Sequence, residues 1–210
     1  MQTEPHEDIP DPVRSTPVYE GPRRKIVIAL DSSGHSKHAL SWALDNLLDV
    51  DMDHIILLSV GIFHDRLGDI MAAALGPVYD ADRMESISKQ AEQYASKILD
   101  EATNVINEHA EYLGQNAKIS HEIYALKGGD PRDVIVDFCH ERAADVLVLG
   151  SRGLGAFRRT ILGSVSEYCV RHAPCPVVVV REGMLGANSA HAHPHRIRRG
   201  RNVNSSQREE

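Results

Sequence analysis

The chain alternates two kinds of apolar pattern. Lys25-Ile-Val-Ile-Ala-Leu30, His54-Ile-Ile-Leu-Leu-Ser-Val60, Asp145-Val-Leu-Val-Leu149 and Pro176-Val-Val-Val-Val180 are short, continuous and rich in β-branched residues. Such runs predict strands, the first two of them buried on both faces. Ala117–Tyr124 is more polar and reads as a further strand, nearer a sheet edge. Between these runs, apolar residues recur every three or four positions. Ala39, Leu40, Ala43, Leu44, Leu47 and Leu48 share one face of a predicted helix over 36–48. Ile87, Ala91, Tyr94, Ile98, Ala102, Val105, Ile106 and Leu113 predict a long helix over 82–113, with Gly114 as its stop. Asp130 and Pro131 fit the cap and first position of a helix reaching about residue 143. A short helix is expected over 164–172.

Strands separated by helices imply parallel pairing with right-handed crossovers. The predicted fold is α/β, one open parallel five-stranded sheet with helices on both faces. The order 3-2-1-4-5 is expected because it sets the first and fourth strands side by side. Residues 61–80 have no clear period and contain Gly61, Gly68, Gly76 and Pro77, which suggests a long insertion or lid-like loop.

The flanks differ from this body. Residues 1–22 hold five prolines and a net charge of −4, and are expected to form a disordered acidic arm. Residues 183–210 carry a net charge of +3, with five arginines and three alternating histidines (His191, His193, His195), and read as a disordered basic tail. The folded domain is expected over 23–182. With the whole chain at −7, the body is acidic, which argues against a broad nucleic-acid-binding face. Three cysteines without a C-x-x-C pair give no zinc or thioredoxin pattern and read as buried reduced thiols. Met-Gln-Thr-Glu-Pro lacks a basic start and an apolar run, and no apolar stretch approaches the roughly 20 residues that span a bilayer. A cytoplasmic address and no membrane partner are expected.

Open α/β sheets bind ligands at the C-terminal strand ends where the strand order reverses. In the expected order, the loops starting at Asp31 and Gly150 meet there. The second reads Gly150-Ser-Arg-Gly153-Leu-Gly155-Ala-Phe-Arg158-Arg159-Thr160-Ile-Leu-Gly163-Ser164. Its glycines let backbone amides approach an anion, and the helix that follows adds unpaired amides and the positive end of its dipole. Ser164 is expected to cap that helix and offer its hydroxyl to a phosphate. Arg152, Arg158 and Arg159 bring positive charge nearby. A Walker loop would need Gly-Lys before Ser164, and a dinucleotide loop would need glycine where Arg158 stands.

The spacing Gly150, Gly153, Gly163, Ser164, or G-x2-G-x9-G-S, resembles the ATP-binding branch of the UspA-like universal stress protein family. Ile26–Asp31, Leu57–Val60, Asp145–Gly153 and Ala173–Val180 look like the same family, so the likeness covers about residues 24–182. It implies a Rossmann-like, adenine nucleotide alpha-hydrolase-like fold and an ATP-binding stress-response or signalling module. It implies Asp31 on the ribose, the backbone of Val60 on the adenine edge, and Leu149 beside base or ribose. Ala29 stands where many members have proline. Gly150, Gly153, Gly163, Ser164 and Val165 match the phosphate loop, with a further hydroxyl from Ser166. The resemblance also implies a homodimer through Val177, Val178, Val179 and Val180. Mg²⁺ or Mn²⁺ would accompany the phosphates, and bound ATP would order residues 150–163 and 61–80. Two other readings remain, a slow ATPase or autophosphorylating protein for which no base can be named, and a nucleotide-free dimer.

Overall fold

The computed structural model describes residues 14–15, 23–61, 81–114, 117–127, 129–153 and 162–181. Most of the acidic arm, the insertion after Gly61, Arg158, Arg159 and the basic tail with its histidines lie outside the described residues. The elements are β1 (Arg14–Ser15), β2 (Arg24–Ala29), α1 (Gly34–Asn46), β3 (Asp53–Gly61), α2 (Ala81–Leu113), β4 (His121–Lys127), α3 (Pro131–Glu141), β5 (Val146–Gly150), α4 (Ser164–His172) and β6 (Val177–Val180).

The sheet order is β1-β4-β3-β2-β5-β6. Its five parallel strands realise the expected order 3-2-1-4-5. The sixth strand was not expected: Arg14 and Ser15, inside the predicted arm, pair antiparallel with Ile123 and Glu122. The third parallel strand is displaced from its expected span of 117–124. Pairing begins where Ile55 N donates to Ser120 O and then runs on through Ala125, Leu126 and Lys127 opposite Ser59, Val60 and Gly61. Helix boundaries follow local chemistry. Ser33 caps α1 by accepting from Ser36 N, and Asp130 caps α3 by accepting from Arg132 N, with Pro131 behind it. Gly114 ends α2 at a φ of +124°, a conformation that glycine takes without strain.

Alternate residues of each buried strand face opposite layers. Ile26, Ile28, Ile55, Leu57 and Val148 pack under α1 and α2, against Ala39, Leu40, Ala43, Leu44, Ile98, Leu99, Ala102 and Ile106. Val27, Ile56, Leu58, Leu147 and Leu149 pack on the other face against Tyr124, Ile135, Phe138, Cys139 and Cys169. Truncating one of the buried leucines or isoleucines to alanine costs about 2–5 kcal/mol, so both layers hold the strand ends in place. Among the described residues, no helix is long and apolar enough to cross a membrane. Cys139, Cys169 and Cys175 are free, and burial is the main cause that pushes their thiols up, Cys169 to about 11.

Candidate functional site

The chain leaves β2 for one side of the sheet and reaches β5 after crossing to the other, so the order reverses between these neighbours. Ala29 and Leu149 are in register, and their strands end side by side. Leu30 N still donates to Leu58 O, 2.8 Å away, and the chain then turns at Asp31. That turn is tied by serines. Asp31 N donates to Ser36 Oγ (3.0 Å), while Ser33 N (3.0 Å) and Ser33 Oγ (2.5 Å) donate to Asp31 Oδ1. Ser33 Oγ also lies 3.3 Å from Arg152 O, across the gap between the two loops.

Asp31 therefore keeps one carboxylate oxygen occupied and turns the other toward the second loop. A Cβ on Gly153 would stand only 2.6 Å from Asp31 Oδ2. Glycine is needed here for close approach, since its φ is not in the left-handed region. Gly150 is pressed in the same way against the first turn of α1. A Cβ there would lie 2.7 Å from the carbonyl carbon of His35 and 2.9 Å from Ser36 N. The expected meeting of the Asp31 and Gly150 loops is thus a contact between backbones.

The second loop is anchored through Ser151. Its amide donates to Val180 O (2.8 Å), and its carbonyl accepts from Gly163 N (2.7 Å) and from Ser166 Oγ (3.1 Å). Three expectations change as a result. The Gly163 amide faces the protein, not the open end of the loop, and this glycine serves by close packing, 3.3 Å from Arg152 Cα at its would-be Cβ. The N-cap of α4 is Gly163, which has no side chain to cap with, and Ser164 is the first helical residue. The Ser166 hydroxyl, 3 % exposed, donates inward to Ser151 O and Gly163 O, so it braces the turn.

What remains open is the start of α4. Glu167 N makes the first helical bond, to Gly163 O at 2.9 Å. The amides of Ser164, Val165 and Ser166 have no acceptor among the described residues, as expected for the first turn of a helix without a side-chain cap. These amides carry the positive end of the α4 dipole. Gly153 is exposed, Arg152 is half-buried beside it, and the half-buried Val165 packs down onto the α3–α4 layer. Ala29, Val60 and Leu149 share the face of the sheet that looks toward that layer, at the ends of three adjacent strands. Ala29 and Val60 are half-buried and Leu149 is 4 % exposed. All three pack into the same apolar cluster.

Two contributors escaped the sequence reading. Ser33 both caps α1 and orients Asp31, and the Ser33-x-x-Ser36 spacing could have signalled it. Tyr94, taken as part of the apolar stripe of α2, is 43 % exposed, and its hydroxyl shares a 2.5 Å hydrogen bond with Ser32 Oγ. No group of three or more histidines, cysteines or acids among the described residues is placed to hold a metal ion.

The model of the universal stress protein family matches residues 22–181. Universal stress protein PHOS34 of Arabidopsis thaliana is 31% identical over 183 residues, which cover 81% of this chain and 66% of that protein. Universal stress protein PHOS32 of the same plant is 32% identical over 166 residues, again covering 66% of its length and 77% of this chain. The chain thus spans just under two thirds of these relatives. A solved universal stress protein family protein from Arabidopsis thaliana with AMP bound superposes with a TM-score of 0.50 at 21% identity, covering 77% of this chain and 93% of that one. That likeness is one of fold. With a family model matched from the start of β2 to the end of β6, the chain belongs to the universal stress protein family.

Proposed function

We propose that this domain binds an adenine nucleotide, ATP foremost, at the junction of β2, β5 and α4, and works as a nucleotide-responsive stress or signalling module. The observation that carries the reading is the apposition of Asp31 and Gly153 beside a helix start whose first three amides have no acceptor among the described residues. An acceptor, Asp31 Oδ2, suits a sugar hydroxyl. The amides of Ser164, Val165 and Ser166 suit phosphate oxygens. The apolar strand ends at Ala29, Val60 and Leu149 suit a flat base. AMP in the related Arabidopsis structure accords with this reading. Mg²⁺ or Mn²⁺ would be carried in by the phosphates, since the protein offers no cage of its own among the described residues. The three free cysteines suit a reducing compartment, the cytoplasm in this proposal.

The same domain is proposed to dimerise along β6. That strand pairs with β5 on one side and ends the sheet on the other, and Val177, Val178 and Val179 stay half-buried in the isolated chain. A valine edge with no partner strand among the described residues is a template for a second copy.

A thermal-shift screen with ATP, ADP, AMP and cyclic AMP tests the binding proposal. ATP at about a hundred times its Kd should add roughly 2.7 kcal/mol of stability. Gly163→Val, which forces side-chain atoms into the packed Arg152 and Ser151 backbone, should show a much smaller shift. Absence of any nucleotide-dependent shift in the unaltered protein refutes the proposal.

A further inference from the structure

The loop that carries Asp31 is held from both sides. Toward the second loop, Ser33 ties it to Arg152 O, and Gly153 abuts its carboxylate. On the opposite side, the hydroxyls of Ser32 and Tyr94 clasp each other at 2.5 Å. Nothing in the apolar packing explains why Tyr94 should be there, since the side chain is 43 % exposed and lies on a helix whose neighbouring Ala91, Ala95, Ile98 and Leu99 are buried. A tyrosine left in solvent whose hydroxyl reaches the residue next to the site acid has a positional task.

The backbone fixes α2 firmly enough for that task. Gly61, the last residue of β3, packs on the Ala91 carbonyl so closely that a Cβ would lie 2.2 Å from its oxygen. Ala91 is therefore locked over the C-terminal end of β3, and Tyr94 lies one turn further along. Two turns beyond Tyr94, Glu101 meets Lys37 of α1 at 2.7 Å, and His109 lies 3.6 Å from Asp45. Positions 94, 101 and 109 thus form a line of polar contacts along one side of α2. Its first member ends at the site loop and the others at α1. The Ser32–Tyr94 contact transfers the rigidity of the β3–α2 packing to the Asp31 turn.

We infer that Tyr94, acting through Ser32, is a positioning residue that aims Asp31 Oδ2 at the sugar of the nucleotide and so sets a preference for ligands with free ribose hydroxyls. This inference rests on the nucleotide reading above. The carboxylate has one oxygen pinned by Ser33, so its direction depends on where the 31–33 turn sits. Releasing Ser32 lets the turn move without disturbing the amides of α4. The phosphate contacts should survive and the sugar contact should weaken.

The test is the ratio of Kd values for 2′,3′-dideoxy-ATP and ATP, measured by isothermal titration on the full chain. The unaltered protein should favour ATP. Tyr94→Phe and Ser32→Ala should each lower that ratio by about twofold to tenfold, the worth of one hydrogen bond, with dideoxy-ATP affinity unchanged. Asp31→Ala should abolish the preference, and adding Tyr94→Phe to it should change nothing further. A ratio unaltered in Tyr94→Phe, or an equal loss for both ligands, overturns the inference while leaving nucleotide binding intact. Failure of the unaltered protein to bind ATP defeats the nucleotide reading itself, and this inference with it.

Discussion

Replacing Gly153 with alanine puts a methyl carbon 2.6 Å from Asp31 Oδ2, with Asp31 Cγ behind it at 3.8 Å. The carboxylate cannot simply swing away, because its other oxygen accepts from both Ser33 N and Ser33 Oγ. Either the second loop lifts or those bonds stretch. An overpacked contact of this kind costs about 1–3 kcal/mol. At roughly 2–4 °C per kcal/mol for a domain of this size, the melting temperature should fall by about 2–12 °C. The binding effect is separable. If Asp31 receives a sugar hydroxyl, displacing it forfeits a hydrogen bond to a charged group, about 1.5–3 kcal/mol, or about 10- to 150-fold in ATP affinity. A double-mutant cycle isolates the contact. Asp31→Ala removes the atom that the new methyl strikes, so the double variant should regain most of the stability lost by Gly153→Ala and none of the affinity. Circular-dichroism melts and titration calorimetry on the four proteins give both quantities. Gly153→Ala with unaltered melting and unaltered Kd, or strictly additive stability losses, refutes the reasoning.

Other expectations follow from contacts away from the ligand. Gly61→Ala should push α2 off the end of β3, because its Cβ would meet the Ala91 carbonyl carbon at 2.6 Å and its oxygen at 2.2 Å. A loss of about 1–3 kcal/mol in urea titration is expected. Asp53, 1 % exposed, accepts from Arg24 Nε (2.8 Å), an Arg24 terminal nitrogen (2.7 Å) and Asp49 N (2.7 Å). Asp53→Ala should therefore cost about 3 kcal/mol, the low end for breaking a buried pair because Arg24 keeps partial access to water. His54 is pushed below its ordinary value of 6.5, chiefly by burial and against the pull of Glu122. Its unfolded form takes up a proton first, so stability should be full above 6.5 and fall as the pH drops through that value toward the lower folded one. His54→Asn should flatten the dependence of stability on pH between about 7 and 5, as read from denaturant midpoints across that range. Val178→Lys should favour the monomer in light scattering if β6 is the dimer edge.

The architecture was legible because its signals are repeated. Four short apolar runs, separated by stretches of helical period, leave few alternatives to a doubly covered parallel sheet. The errors lie where backbone bonding, which leaves no mark on the side-chain pattern, decides the outcome. Arg14 and Ser15 join the sheet through main-chain pairing with Ile123 and Glu122, and nothing in their own residue types announces it. Ala117–Ser120 shares the mixed polarity of the strand proper, so the sequence pattern starts β4 earlier than its register with β3, which begins at His121. At the site, the glycine spacing pointed to the right strand junction. It could not tell which amides the protein spends on itself. Gly163 N goes to Ser151 O, and the donors without an acceptor among the described residues sit one to three residues later. Tyr94 satisfied the helical period of α2 as well as any core residue would. Only the placement of Ser32 distinguishes it.

Three amides at the start of α4, next to the Gly153–Gly163 contact, are proposed to receive a nucleotide. Amide chemical shifts of the ¹⁵N-labelled protein, followed through an ATP titration, test that proposal residue by residue. Saturable shifts are expected at Gly153, Ser164, Val165 and Ser166, with the amides of β4 and the far end of α2 unmoved. Saturable binding that leaves those four amides untouched, or no binding at millimolar ATP, contradicts the proposal.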